Sequence, residues 1–261
     1  MSNLPLLNYK RAGTGPTMVI LHGLLGSLDN FRSVGLHLER YFDVLRIDLP
    51  AHGESPSLPE INLLSMSDAL RHTLDTLDVN HCHLLGHSLG GKVAMQLASV
   101  LPAEQLKSLL VVDIAPRDYP ELHTPILEAL SSIDLTHLTS RRQAEAELRG
   151  SIVDAGMRAF LLKGLYRTTK DQWAWRFDIK GLKKDYPELC KAPEIIEAIE
   201  APTLFIKGGN SDYLSAQDES EIRRLFSNPR FKEIAGTGHW PHAEKPAVFT
   251  EMVLDFAQVQ P

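Results

Sequence analysis

Only two cysteines, Cys82 and Cys190, occur in 261 residues. That excludes a disulfide framework and suits a reduced, cytoplasmic compartment. Cys82 falls in a predicted strand and reads as a buried, inert thiol. Positive charge is not in surplus: the net charge is −6, so the electrostatic footprint of a nucleic-acid-binding surface is missing. No apolar run has the length of a membrane span. Met1 to Lys10 lacks the basic start and long apolar core of a signal peptide. The histidines His22, His52, His87, His239 and His242 show no ligand spacing such as H-E-x-x-H, so neither a metal nor another cofactor is expected. Internal repeats and low-complexity segments are absent as well. What remains is ordinary: 43% apolar and 23% charged residues, enough to build a soluble α/β domain of this length, or two small ones.

Against that plain background one pentapeptide stands out, Gly86-His87-Ser88-Leu89-Gly90. It has the G-x-S-x-G form of a nucleophile elbow, a serine on a strained turn between a strand and a helix. The pattern alone is weak, since an ordinary glycine-rich turn would read the same. Its surroundings supply the context. His81 to Leu85 is a short, apolar-rich stretch of strand character, and Gly91 to Leu101 carries apolar residues at helical spacing, closed by Pro102.

The rest of the chain alternates strands and helices. Residues 6–11 read as an edge strand, Thr17 to Leu21 as a strand covered on both faces, and Phe42 to Asp48 as the next strand. Between them, Ser27 or Asp29 caps a helix reaching about Arg40; Leu63 to Leu77 is another helix, with Ser65 or Ser67 as its cap. Leu106 to Pro116 reads as the following strand, apolar up to Asp113; a carboxylate at the carboxyl end of a strand in an open α/β sheet lies where ligands bind, and capping the next turn is the bland role for that aspartate. From about Arg117 to Glu200 the strand–helix rhythm stops. Helical patterns dominate there, with Trp173 and Trp175 in an aromatic cluster that reads as packing within this insertion rather than as a stacking surface for substrate. Thr203 to Lys207 resumes the sheet, 216–226 is a helix, Phe231 to Ile234 is the last strand, and a flexible loop carrying His239 and His242 leads to a final helix from Pro246 to about Gln258.

A serine hydroxyl needs a base to take its proton and an acid to orient that base. Ser88, then Asp113 or Asp212, then His239 follows the order Ser, acid, His. His242, next to Pro241, suits a supporting role, and His87 points away from the direction of Ser88 if the elbow forms. His22-Gly23, Asp48 to Ser55 (D-x-x-x-H-G-x-S, read as a fixed turn), Gly86 to Gly91 and Gly236 to Trp240 together resemble the α/β-hydrolase superfamily across nearly the whole chain. More narrowly, Val112 to Pro116, Gly208 to Ser211 and Gly238 to Pro246 resemble the YbfF-type bacterial esterases and their eukaryotic abhydrolase relatives.

The resemblance implies an α/β-hydrolase fold, a mostly parallel sheet flanked by helices. A helical cap, 117–200, is inserted after the sixth strand of the family's count, splitting a core domain of 1–116 and 201–261. It implies Asp113 as the acid, with Ser211 supporting the histidine and Asp212 as the alternative acid. The backbone amides of Leu24 and Leu89 become the oxyanion hole. The activity implied is that of a serine esterase or thioesterase working through an acyl-enzyme on a small-molecule ester or acyl-CoA thioester, with no nucleic-acid or membrane partner. A carbon–carbon bond hydrolase of the same fold and a non-catalytic binding protein on a hydrolase scaffold are the competing readings; acyl length and oligomeric state are not written in the sequence.

Overall fold

The structure is a computed structural model that describes residues 4–258. Met1 to Asn3 of the N-terminal reading lie outside the described residues. The chain opens with two strands, β1 (Tyr9–Gly13) and β2 (Thr17–Leu21). Ser27 starts a 3-10 turn that runs into α1 (Arg32–Leu38). Then come β3 (Asp43–Ile47), α2 (Leu63–Thr76), β4 (Cys82–His87), α3 (Leu89–Ala98) and β5 (Leu106–Val112). The cap of α2 is Asn62, whose side chain accepts the Ser65 amide at 2.8 Å, while Ser65 Oγ accepts the Asn62 amide at 3.1 Å. Ser65 therefore holds the third helical position of a reciprocal capping pair instead of the cap itself.

Beyond β5 the chain leaves the sheet. It forms α4 (Thr124–Ser132), α5 (Arg141–Leu148), α6 (Ala155–Leu162), a small ribbon of β6 (Leu165–Arg167) and β7 (Trp173–Trp175), and α7 (Ile179–Cys190). It returns as β8 (Thr203–Gly208), α8 (Glu219–Leu225), β9 (Pro229–Ile234), the single turn α9 (Pro241–Glu244) and α10 (Pro246–Gln258). The excursion thus comes after the fifth strand in chain order among the described residues; the sixth-strand position belongs to the family's count. It is also not purely helical. β7 carries both tryptophans of this excursion, with Trp175 stacked on Phe177 at 5.4 Å and the Arg167 guanidinium over Trp173 at 4.7 Å.

The seven main strands lie in the order β1-β3-β2-β4-β5-β8-β9, with only β1 antiparallel to its neighbour. This is the expected mostly parallel sheet. Its central strands are apolar on both faces because helices cover both. Alternation sorts the side chains. Val19, Leu84, Leu109 and Val111 join one core layer, under α2, α3 and the excursion, whereas Ile20, Leu85, Leu110 and Val112 join the other, against α1 and α10. The carboxyl ends of β2, β4, β5 and β8 therefore meet along one edge, where the ligand-binding crevice of such sheets is found.

Candidate active site

Ser88 sits directly after β4 with φ 52° and ψ −120°, a conformation that costs a non-glycine residue on the order of 1–3 kcal/mol. Two flanking glycines are required by close approach. A Cβ on Gly86 would overlap the Gly90 carbonyl oxygen, and one on Gly90 would overlap the His22 carbonyl oxygen. The strain is not isolated. Of the six non-glycine residues with positive φ among the described residues, four, Leu25, Ala51, Ser88 and Asp113, line this edge of the sheet.

The structure brings Ser88, His239 and Asp113 into one hydrogen-bonded line. His239 Nε2 lies 3.0 Å from Ser88 Oγ, and His239 Nδ1 lies 2.7 Å from Asp113 Oδ2. With the carboxylate accepting at Nδ1, the ring carries its proton there and Nε2 is left to accept from the serine hydroxyl. Asp113 is fully buried. Its other oxygen accepts the Gly208 amide at 2.9 Å, and Ser211 Oγ donates to Oδ2. Strand pairing explains these partners: Val112 and Ile206 are in register on β5 and β8, so the loops that leave the two strands meet. Asp212, one residue after Ser211, is exposed and makes no hydrogen bond or ion pair among the described residues.

The loop bearing His239, flexible by its sequence, is tied at three points. Thr237 Oγ1 donates to the Ile234 carbonyl at 2.7 Å, the Gly238 amide to the Glu244 carboxylate at 2.9 Å, and His87 Nε2 to the His239 carbonyl at 2.7 Å. His87 thus faces the same cavity as Ser88 but spends its ring proton on this loop. It is fully buried, and burial lowers its pKa well below the usual imidazole range. His242 is also buried, stacked on Phe31 at 4.2 Å. Tyr213 stacks on His239 at 3.8 Å, a neighbour that sequence reasoning misses although it lies two residues beyond Ser211.

The Leu24 amide lies in a loop braced by two histidines. The Leu49 amide donates to His22 Nε2 at 3.0 Å, and the Leu25 amide donates to His52 Nε2 at 3.0 Å. Each ring therefore carries its proton on Nδ1, given to Gly23 O from His22 and to Pro50 O from His52. The two loops, 22–26 and 48–55, are cross-tied reciprocally by neutral imidazoles. Burial pushes His22 down to about 4 and His52 to about 3. Asp48 completes the brace, accepting the Leu28 amide at 2.7 Å and the Glu54 amide at 3.0 Å. Gly53, at φ +59°, is fixed by that carboxylate, because a Cβ there would overlap it. The brace brings Gly23 against the elbow: a Cβ on Gly23 would stand 3.2 Å from Ser88 Cβ. The Leu24 amide donates to no acceptor among the described residues, and neither does that of Leu89, which opens α3 where no intrahelical acceptor exists.

Two clefts meet at Ser88. The larger, about 650 Å³ with its mouth, is closed by Ile126, Met157, Phe160 and Leu161 from the excursion and by Trp240. The smaller, about 450 Å³, runs along α3 past Lys92 toward Tyr186 and Cys190. Trp173 and Trp175 line neither. His123 stands between the clefts; its backbone amide donates to Tyr186 OH at 3.0 Å, its Nδ1 lies 2.7 Å from the same hydroxyl, and its Nε2 lies 3.4 Å from Tyr213 OH. Burial lowers His123 to about 4, which keeps it neutral. No group of three or more metal-ligating side chains occurs among the described residues, and none of the described helices is long and apolar enough to cross a membrane.

Comparison with known proteins identifies the family. A family model described as alpha/beta hydrolase fold matches residues 16–246. The chain is 36% identical to the sn-1-specific diacylglycerol lipase ABHD11 of Danio rerio, over 98% of this chain and 83% of that protein. It is 36% identical to esterase YbfF of Escherichia coli (strain K12), over 88% of each. Among solved structures, a marine microorganism esterase superposes with a TM-score of 0.93 at 33% identity, covering 96% of this chain and 99% of the other.

Proposed function

The chain belongs to the alpha/beta hydrolase family, and from that premise we propose that it is a serine hydrolase of carboxylic esters, with acyl thioesters open to the same chemistry. The observation that carries this reading is the line from Ser88 Oγ through His239 to Asp113, at 3.0 and 2.7 Å. Ser88 attacks the carbonyl carbon while His239 Nε2 takes its proton. Asp113 holds the ring and stabilises its cationic form. The amides of Leu24 and Leu89 receive the oxyanion; one such donor is worth about 3 kcal/mol of the barrier. His239 then protonates the leaving alcohol or thiol. Water, activated by the same ring, attacks the acyl-Ser88 and releases the acid. In this reading 117–200 acts as the cap, 1–116 and 201–261 form the core, and the two clefts at Ser88 take the two sides of the ester. The names of the relatives, an esterase and lipases, support the substrate class.

The test is turnover of a chain-length series of p-nitrophenyl esters and acyl-CoA thioesters, with fluorophosphonate labelling alongside. The wild type hydrolyses at least one series and is labelled; Ser88→Ala is not labelled and loses about 10³-fold or more in kcat. A wild type that neither turns over nor labels, or a Ser88→Ala variant that keeps its rate, overturns the reading.

A further inference from the structure

One charged side chain in the smaller cleft has no task in ester hydrolysis by Ser88. Lys92 lies on α3, one turn beyond the serine, and is 2% exposed. Its Nζ donates to the carbonyls of Leu189 at 3.2 Å and Cys190 at 2.8 Å, at the C-terminal end of α7. The Tyr119 ring lies 5.3 Å away. These neighbours favour a cation, as the carbonyl end of a helix does. They do not neutralise one. No carboxylate oxygen comes within 4.0 Å of the ammonium among the described residues; the Cys190 thiol and, from an exposed position, Asp118 favour the cation, and Arg117 opposes them. Burial lowers the lysine to about 8, so it is still mostly protonated at neutral pH. Buried charges are normally paired, because an uncompensated one is costly. An ammonium has three donors, and two are used here.

Lys92 lines the wall of the cleft that opens at Ser88. We propose that this smaller cleft is a subsite for a substrate carboxylate, received by Lys92, so that the preferred esters are anionic. The proposal rests on the ester-hydrolase reading and names its substrate class. Four residues of helix separate Lys92 from Ser88, a rise of about 6 Å. A carboxylate a few bonds from the scissile carbonyl spans that length. It can sit on the acyl half, as in a half-ester of a dicarboxylic acid, or on the alcohol half, as in an ester of a hydroxy acid.

Matched pairs separate these sources. For the acyl half, p-nitrophenyl hemiglutarate is compared with p-nitrophenyl pentanoate; for the alcohol half, O-butanoyl glycolate with ethyl butanoate. The quantity read is the ratio of kcat/KM, anionic over neutral, within each variant. The wild type favours the anion by about tenfold or more in one arm, as a charge-assisted hydrogen bond supplies. The ratio falls to about one in Lys92→Met and is kept in Lys92→Arg. A wild-type ratio at or below one in both arms, or a ratio unchanged in Lys92→Met, overturns the proposal. If Lys92→Met does not fold, the wild type alone decides. Millimolar glutarate raises its Tm by about 2 °C where the neutral diamide does not, and equal Tm values with both count against the site. A wild type that turns over no ester of either kind counts against the hydrolase reading, while the glutarate measurement still judges Lys92.

Discussion

The core edge of the site and the excursion above it are built on different physical terms. At the edge, backbone geometry dictates residue type. Ser88 and Asp113 are held at positive φ, and Gly53, Gly86 and Gly90 are each demanded by an atom that a Cβ would meet. Polar atoms there are cross-tied between loops by hydrogen bonds of about ordinary length. Above the edge, the excursion contributes mostly apolar side chains, Ile126, Met157, Phe160 and Leu161 among them, whose positions are set by packing and by a few contacts to the core. One of these is the Asp178 amide on the Ala51 carbonyl, 2.9 Å away. The difference teaches that the edge and the excursion are held by different means: the first by strained, cross-tied geometry, the second by side chains that tolerate change.

The comparison breaks most sharply at the acid. Asp113 is fully buried and meets Gly208, Ser211 and His239, whereas Asp212 is exposed and meets none of them. In Asp113→Asn the amide can no longer stabilise the imidazolium. Kcat on the best ester falls by about 10⁴-fold, while Asp212→Asn stays within about threefold of the wild type. Steady-state kinetics on folded, Tm-matched variants check this. The reverse pattern would move the chemistry off the β5 edge and dissolve the contrast between edge and excursion.

Legibility in the sequence divides along the same line. The strands, the elbow and the order Ser, acid, His come from local signals: apolar runs, glycine spacing, a serine between them. The fold is legible for that reason. The choice between Asp113 and Asp212 is not open to residue reading alone, since both come after predicted strands; the register of β5 against β8 brings the first to His239 and leaves the second in solvent. His22 and His52 look like plain turn residues because the amides they accept lie 27 residues away. Lys92 is the extreme case. A lysine four residues into an amphipathic pattern reads as a solvated face, and only the arrival of α7 over α3 buries it.

A second measurement sharpens the comparison through pH. His22 and His52 brace the 22–26 loop as neutral rings, with folded values of about 4 and about 3 against about 6.5 when unfolded. The folded pKa values are lowered, so in acid the unfolded chain binds protons that the native chain does not. Stability therefore falls as pH drops through 6.5 toward 4 and is unaffected by these rings above about 7. Each ring contributes a loss of about 2–3 kcal/mol by pH 4.5. Urea unfolding between pH 7.5 and 4.5 checks this. A flat profile would mean that the brace is open to water. His123→Phe, in the excursion, removes one similarly lowered ring, so the slope becomes shallower by one proton's share while the brace remains.

The smallest effect is expected in the excursion itself. Phe160 is half-buried, lines the larger cleft and lies 5.6 Å from the Trp240 ring. It packs over the cleft without a polar partner, so its truncation leaves the Ser88–His239–Asp113 line untouched and enlarges the space above it. Phe160→Ala moves the acyl-length optimum to longer chains, raising kcat/KM for the longer esters and lowering it for the shortest by about three- to tenfold, the range that one or two methylenes command in an apolar pocket. The change resides in KM, because the interaction lost is the same in the ground state and the transition state. A uniform fall in kcat across all lengths would instead mean that Phe160 holds Trp240, and through it the His239 loop. In that event the excursion would share in the chemistry, and the division between edge and excursion would have to be redrawn at α6.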